Sequence, residues 1–216
     1  MIIVKDPDID PETFILKNKF NIGDQALLTQ KESDLAIIGI KKLLEEKDYD
    51  INVEYLKHIN RIMFEDIYYF AGTFRTIEVF KNEEKLVGDS VTYAKPEDIE
   101  KNLNDIFEDI RACDFESLDI EGQVNFLCNI LTRICQTHPF REGNTRATLI
   151  FLRKYLEKYN LKYDPDKFSN VDTYRYMRLS LVAACYEGNG HERDYSYLDR
   201  IMTDIVSDAH KRRLTM

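Results

Sequence analysis

The stretch HPFREGNTRA, His138 to Ala147, places one histidine, one glutamate, a Gly-Asn pair and two arginines in ten residues. Its neighbours are apolar. Upstream, Val124, Leu127, Cys128, Leu131, Ile134 and Cys135 recur at i, i+3, i+4, i+7, i+10 and i+11. That stripe predicts a helix over 119–137. Downstream, ATLIFL (147–152) is apolar on nearly every side, which predicts a buried helix over 145–158. Charge concentrated between two buried helices calls for a chemical reason.

The loop supplies one. Pro139 disfavours helical geometry at His138 and cannot donate a backbone hydrogen bond, so the first helix stops there. Gly143 permits an unusual turn. Asn144 or Thr145 is placed to cap the second helix. The free N–H groups of that helix start carry the positive end of its dipole and suit an anion. Arg146 adds a fork of donors matched to phosphate oxygens. Glu142 is a hard oxygen ligand of the kind that holds Mg²⁺ beside phosphates. His138 has the ordinary basicity of a general base near neutrality. Phe140 reads as an apolar pin that fixes the loop. The plain alternative is a structural histidine and an i, i+4 surface pair of Glu142 with Arg146.

The rest of the chain is mostly helical. Residues 1–30, with Pro7, Pro11 and Gly23, read as an irregular arm before a single helical domain over 31–210. Helices are predicted at 32–47, with Thr29 and Glu32 as a capping box, and at 53–70. Further helices are predicted from Pro96 to 112, at 170–186 and at 195–210, with GNGHERD as a turn. Thr76 to Phe80 and Val91 to Tyr93 are β-prone around a polar connection, which predicts a β-hairpin over about 75–94.

Composition narrows the function. The chain has 216 residues, 44% hydrophobic and 32% charged, which is globular. A formal charge of -9 argues against non-specific nucleic-acid binding. No apolar run reaches membrane-spanning length, and no leader is visible. Cys113, Cys128, Cys135 and Cys185 lack zinc-site spacing and read as reduced thiols of a cytoplasmic protein. His58, His191 and His210 read as structural or exposed.

The loop resembles the Fic family motif, H-P-F-x-D/E-G-N-G/K-R-x-x-R, at His138, Pro139, Phe140, Glu142, Gly143, Asn144 and Arg146. KNKFNIGD from Lys17, FEDIYYFAGTFRT from Phe64 and the expected hairpin extend the resemblance over roughly residues 15 to 190. It implies a mainly α Fic-like bundle with a β-hairpin flap that holds a target protein by strand addition. It implies transfer of AMP from ATP to a Ser, Thr or Tyr hydroxyl of a target, possible self-modification included. His138 would be the base, Glu142 the Mg²⁺ ligand, and Gly143, Asn144, Thr145 and Arg146 the anion site. Lys81 and Asn82 at the hairpin tip are candidates for nucleotide or target contact. Transfer of another phosphate-linked group, and a degenerate nucleotide-binding regulator, stay open. So does homo-oligomerisation.

Two positions depart from the motif. Thr145 stands where Gly or Lys is usual, and Leu149 replaces the final arginine. Loss of one charged phosphate contact is worth about 1.5–3 kcal/mol, unless Arg153 substitutes. The family's inhibitory pattern, S/T-x-x-x-E-G/N, matches Ser117 to Gly122 and nearly matches at Glu187-Gly188. The first lies at the start of the helix leading into the motif, not in a separate helix, and the second has Ala183 where a hydroxyl residue is expected, so no strong in-chain glutamate switch is expected.

Overall fold

The computed structural model describes residues 6–81, 83, 86, 89–161 and 171–214. Among them are seven α-helices: α1 Gln25–Glu45, α2 Val53–Phe64, α3 Ile99–Ala112, α4 Ile120–Thr137, α5 Asn144–Lys158, α6 Val171–Cys185 and α7 Ser196–Leu214. α4 is the hub and packs against α3, α5, α6 and α7. α1 and α2 form a pair that meets the hub through the α2–α5 contact.

The apolar pattern explains this order. On α4, Val124, Leu127, Cys128, Leu131 and Ile134 of the predicted stripe are buried, Cys135 is half-buried, and Ile130 is buried beside the stripe. α5 buries Ala147, Thr148, Leu149, Phe151 and Leu152 and half-buries Ile150, so apolar contacts surround most of the predicted run. Even Lys154 on α5 is wholly buried. Its ammonium donates to the Glu46 carbonyl at 2.8 Å, lies 4.6 Å from the Tyr49 ring centroid and pairs with Glu157. Glu46 is the C-cap of α1, so the cation sits where the helix dipole is negative.

α1 begins seven residues before its predicted start at Glu32 (32 − 25). Its cap is Asp24, whose side chain accepts from the Leu27 N–H at 2.8 Å. The predicted capping box fails because both members are used elsewhere. Thr29 bonds back to the Gln25 carbonyl inside the helix, and Glu32 turns inward to Tyr68 and Arg146. α2 also ends earlier than predicted, at Phe64.

The β-hairpin over 75–94 is overturned, because no strand forms among the described residues. Phe74 and Phe140 make only an isolated bridge. The backbone groups a ladder needs are bound elsewhere. The Ile77 and Ala94 carbonyls accept from the Arg75 guanidinium. The Ala94 N–H donates to the Gln136 carbonyl, and the Lys81 N–H to the Ser90 hydroxyl. Side chains pull the same way. Val91, Leu86 and Tyr93 pack with Val182, Cys185 and Tyr186 at the end of α6, and Glu83 pairs with Arg178 at 2.8 Å. The segment closes on itself only near 81–90, where the Glu83 N–H donates to the Asp89 carbonyl at 3.3 Å, and otherwise lies on helices.

The two readings of the α1 start are separable. Asp24→Ala lowers unfolding free energy by about 1 kcal/mol, the usual cost of a lost cap, whereas Thr29→Ala costs under about 0.5 kcal/mol. Urea denaturation of the two variants measures the difference.

Candidate active site

The site is built where α4 turns into α5. His138, the C-cap of α4, has φ 45° and ψ 59°, a left-handed conformation that a non-glycine residue adopts at a cost of about 1–2 kcal/mol. Phe140 is fully buried against Phe74, 6.1 Å between ring centroids, and pins the loop as its position in the sequence predicts. Gly143 is the N-cap of α5, with φ 79°. No side chain caps α5, so the first-turn backbone donors of Asn144, Thr145 and Arg146 point out of the helix start. The predicted Asn144 cap is replaced by a staple across the loop. Its amide accepts from the Phe140 N–H at 2.8 Å and donates to the Phe140 carbonyl at 2.7 Å.

His138 is 4% exposed, and neither ring nitrogen has a hydrogen-bond partner among the described residues. The Tyr93 ring packs on it with centroids 3.9 Å apart. Burial holds the imidazole well below its ordinary basicity. The Lys81 and Arg75 cations push the same way, and the Cys135 carbonyl pulls weakly against them. The ring is therefore neutral near neutrality, as a general base must be.

Glu142 is ionised. Burial raises its pKa, but Lys81, Arg146, the Gly143 N–H and Arg141 together hold it below the usual value. Its Oε1 accepts from the Gly143 N–H at 2.7 Å. Arg146 stacks on the Phe64 ring, 4.6 Å from the centroid. It donates to Glu32 at 2.6 Å and lies 3.5 Å from Glu142. Burial disfavours its charge, and the two carboxylates more than restore it. Glu32 also accepts from the Tyr68 hydroxyl at 2.5 Å.

The structure thus gathers His138, Glu142, Gly143, Asn144, Thr145 and Arg146 at one helix start and brings the Lys81 charge to bear on His138 and Glu142. Asn82 lies outside the described residues. Leu149 is buried in the core, and Arg153 is held by Glu157 at 3.1 Å one turn further on. The two glutamates of the inhibitory pattern are exposed, and Glu187 pairs with Arg193 at 3.3 Å.

Four residues at the site were not among the predicted site residues. Asn60 of α2 donates to the Glu142 carbonyl and accepts from the Gly72 N–H, each at 2.9 Å. Arg75 binds the loop's carbonyls, Tyr93 covers His138, and Glu32 holds Arg146. Arg75 offered the one usable signal, a lone cation in the aromatic stretch YYFAGTFRT.

Two measurements follow from this geometry. Gly143 and Gly190 share φ 79°, but a Cβ at Gly143 would lie 2.1 Å from the Phe64 ring, whereas at Gly190 it meets nothing within 4 Å. Gly190→Ala therefore costs about 1–2 kcal/mol in urea unfolding, and Gly143→Ala exceeds it by about 1–3 kcal/mol. Glu32→Gln removes a counter-charge from Arg146. Pyrophosphate binding measured by calorimetry tightens about fivefold, or ~1 kcal/mol.

Comparison with known proteins agrees with this geometry. The sequence model of the Fic/DOC family matches residues 50–156. The probable protein adenylyltransferase y4lH of Sinorhizobium fredii is 32% identical over 151 residues, 69% of this chain and 74% of that protein. The protein adenylyltransferase VbhT of Bartonella schoenbuchensis is 27% identical over 212 residues, and this chain spans 39% of its length. The crystal structure of the BepC protein of Bartonella tribocorum, with bound AMPPNP, superposes with a TM-score of 0.76. It covers 92% of this chain and 95% of that one at 18% identity, a likeness of fold. The motif loop, the helical scaffold and the y4lH match lead to one assignment: the chain belongs to the Fic/DOC family.

Proposed function

We propose that this chain is a protein adenylyltransferase that moves AMP from ATP to a Ser, Thr or Tyr hydroxyl of a target protein, itself included. The observation that carries the reading is a buried, neutral histidine beside an uncapped helix start that holds Arg146. Relatives named as protein adenylyltransferases support it, as do fold neighbours solved with AMPPNP and ADP.

The chemistry follows from the donors. The ATP phosphates lie at the start of α5, against its free N–H groups and Arg146. The acceptor hydroxyl approaches His138, whose free imidazole nitrogen takes the proton. The hydroxyl oxygen forms a bond to the α-phosphorus, the bond to the β-phosphate oxygen breaks, and pyrophosphate leaves. The Tyr93 ring lies on the face of the imidazole, so the proton is taken in the plane of the ring, at its edge.

Glu142 fits Mg²⁺, since that ion commonly takes one or two carboxylates and completes its shell with phosphates and water. When bound, the ion supplies charge neutralisation between neighbouring phosphates. Glu142 would contribute one carboxylate to that shell. Lys81 bears on both His138 and Glu142, and we place it beside the bound nucleotide.

No helix among the described residues is long and apolar enough to cross a membrane. The four cysteines are free thiols, which supports a reducing, cytoplasmic setting.

Incubation with α-labelled and γ-labelled ATP, Mg²⁺ and a lysate tests the reading. Protein takes up the α-label alone, and His138→Ala lowers the rate about 10²–10⁴-fold. Label from the γ-position would mean phosphotransfer instead. The pH dependence has a defined sign. The His138 pKa is depressed, so the base form persists as pH falls through about 6.5 and protonation cuts the rate only at lower pH.

A further inference from the structure

Arg75 has no place in the chemistry above, yet it is 4% exposed and bonded to the His138 carbonyl. Among the described residues no carboxylate pairs with it. Its guanidinium is spent on four carbonyls. Nε donates to His138 at 2.7 Å, Nη1 to Ile77 at 2.7 Å, and Nη2 to Ala94 at 2.5 Å and Thr137 at 3.3 Å. Its own backbone N–H donates to the Pro139 carbonyl at 2.9 Å. One side chain therefore joins the end of α4, the motif loop and both ends of the 77–94 segment.

Two of those carbonyls matter most. The His138 carbonyl belongs to the strained left-handed residue that aims the imidazole. The Ala94 carbonyl adjoins Tyr93, whose ring lies on that imidazole. A planar fork with five donors can span these acceptors, whereas an ammonium is a point charge on a flexible stem. We infer that Arg75 is a positioning residue for AMP transfer, fixing the His138 backbone and the Tyr93 segment so that the imidazole keeps one orientation toward the acceptor hydroxyl. This rests on His138 acting as the base, as proposed above.

The charge of Arg75 acts in the same direction. Lys81 and Arg75 are the cations that bear on His138, with the Tyr93 ring from the segment that carries Lys81 and the Cys135 carbonyl from α4. Both cations disfavour the imidazolium, so Arg75 keeps the base in its working form as well as in place.

Two substitutions separate these effects from a merely structural role. Arg75→Lys keeps the charge and loses the fork. Arg75→Gln loses the charge. Each is compared with wild type in urea unfolding, ADP affinity, kcat and KM for ATP, and in the titration of His138 by NMR of ¹³C-labelled histidine. Loss of one signal in His138→Gln assigns that resonance. The expected result is a kcat about 10–100-fold lower in Arg75→Lys, with KM for ATP within about threefold and the His138 midpoint unmoved. In Arg75→Gln the midpoint rises by more than ~0.5 pH unit. Wild-type kcat in a folded Arg75→Lys overturns the inference, as does a loss of kcat that only tracks ADP affinity and the folded fraction. A wild type that transfers no AMP defeats the adenylyltransferase reading alone. The inference is then decided by the assigned His138 ¹³C resonance at fixed pH: it moves or broadens in Arg75→Lys if the fork fixes the imidazole, and a resonance unchanged from wild type overturns the inference. Should Arg75→Gln not fold, the kcat of Arg75→Lys decides.

Discussion

A loop buried between two apolar helices must find partners for its own peptide groups, because little water reaches them. From Thr137 to Gly143 the chain meets this demand largely with side chains. Arg75 serves the Thr137 and His138 carbonyls through its side chain and the Pro139 carbonyl through its backbone. Asn144 serves both groups of Phe140. Asn60 takes the Glu142 carbonyl, and the Glu142 carboxylate takes the Gly143 N–H. This arrangement leaves the donors of α5 directed at the site and holds His138 in a backbone conformation it would otherwise leave. The chemistry of the site depends on that satisfied loop.

Charge at the site is balanced within the chain. Arg146 and Lys81 would make a strong anion trap, but Glu32 and Glu142 offset them. Burial and the neighbouring cations act together on His138, whereas at Glu142 the cations prevail over burial. One environment therefore keeps a histidine neutral and a carboxylate charged. That is the pair of states needed for proton transfer beside a phosphate-bound cation.

The sequence revealed what periodicity and local motif encode. The α4 stripe and the ATLIFL run placed the buried helices to within a residue or two, and the loop between them gathered its predicted residues in one place. The hairpin was misread because β propensity describes a half-buried pleated surface, whereas Arg75 takes the carbonyls and α6 takes the side chains. The α1 cap was misread because Glu32 satisfies a capping pattern and is used 114 residues away, at Arg146. Asn60, Arg75 and Tyr93 act on the loop from distant parts of the chain. No local rule ties a residue to a partner that only folding brings near.

Lys154 and Arg146 lie eight residues apart on α5 (154 − 146) and hold α1 at Glu46 and Glu32, fourteen residues apart (46 − 32). α1 is thus fastened at its C-cap and two turns inside its N-terminus to the helix that begins at the site. Each added helical residue turns the remainder by about 100°. An insertion or deletion between Glu32 and Glu46 would leave one fastening intact and swing the other off its partner. Chain length in α1 is therefore constrained as tightly as side-chain identity, although none of its residues belongs to the motif loop.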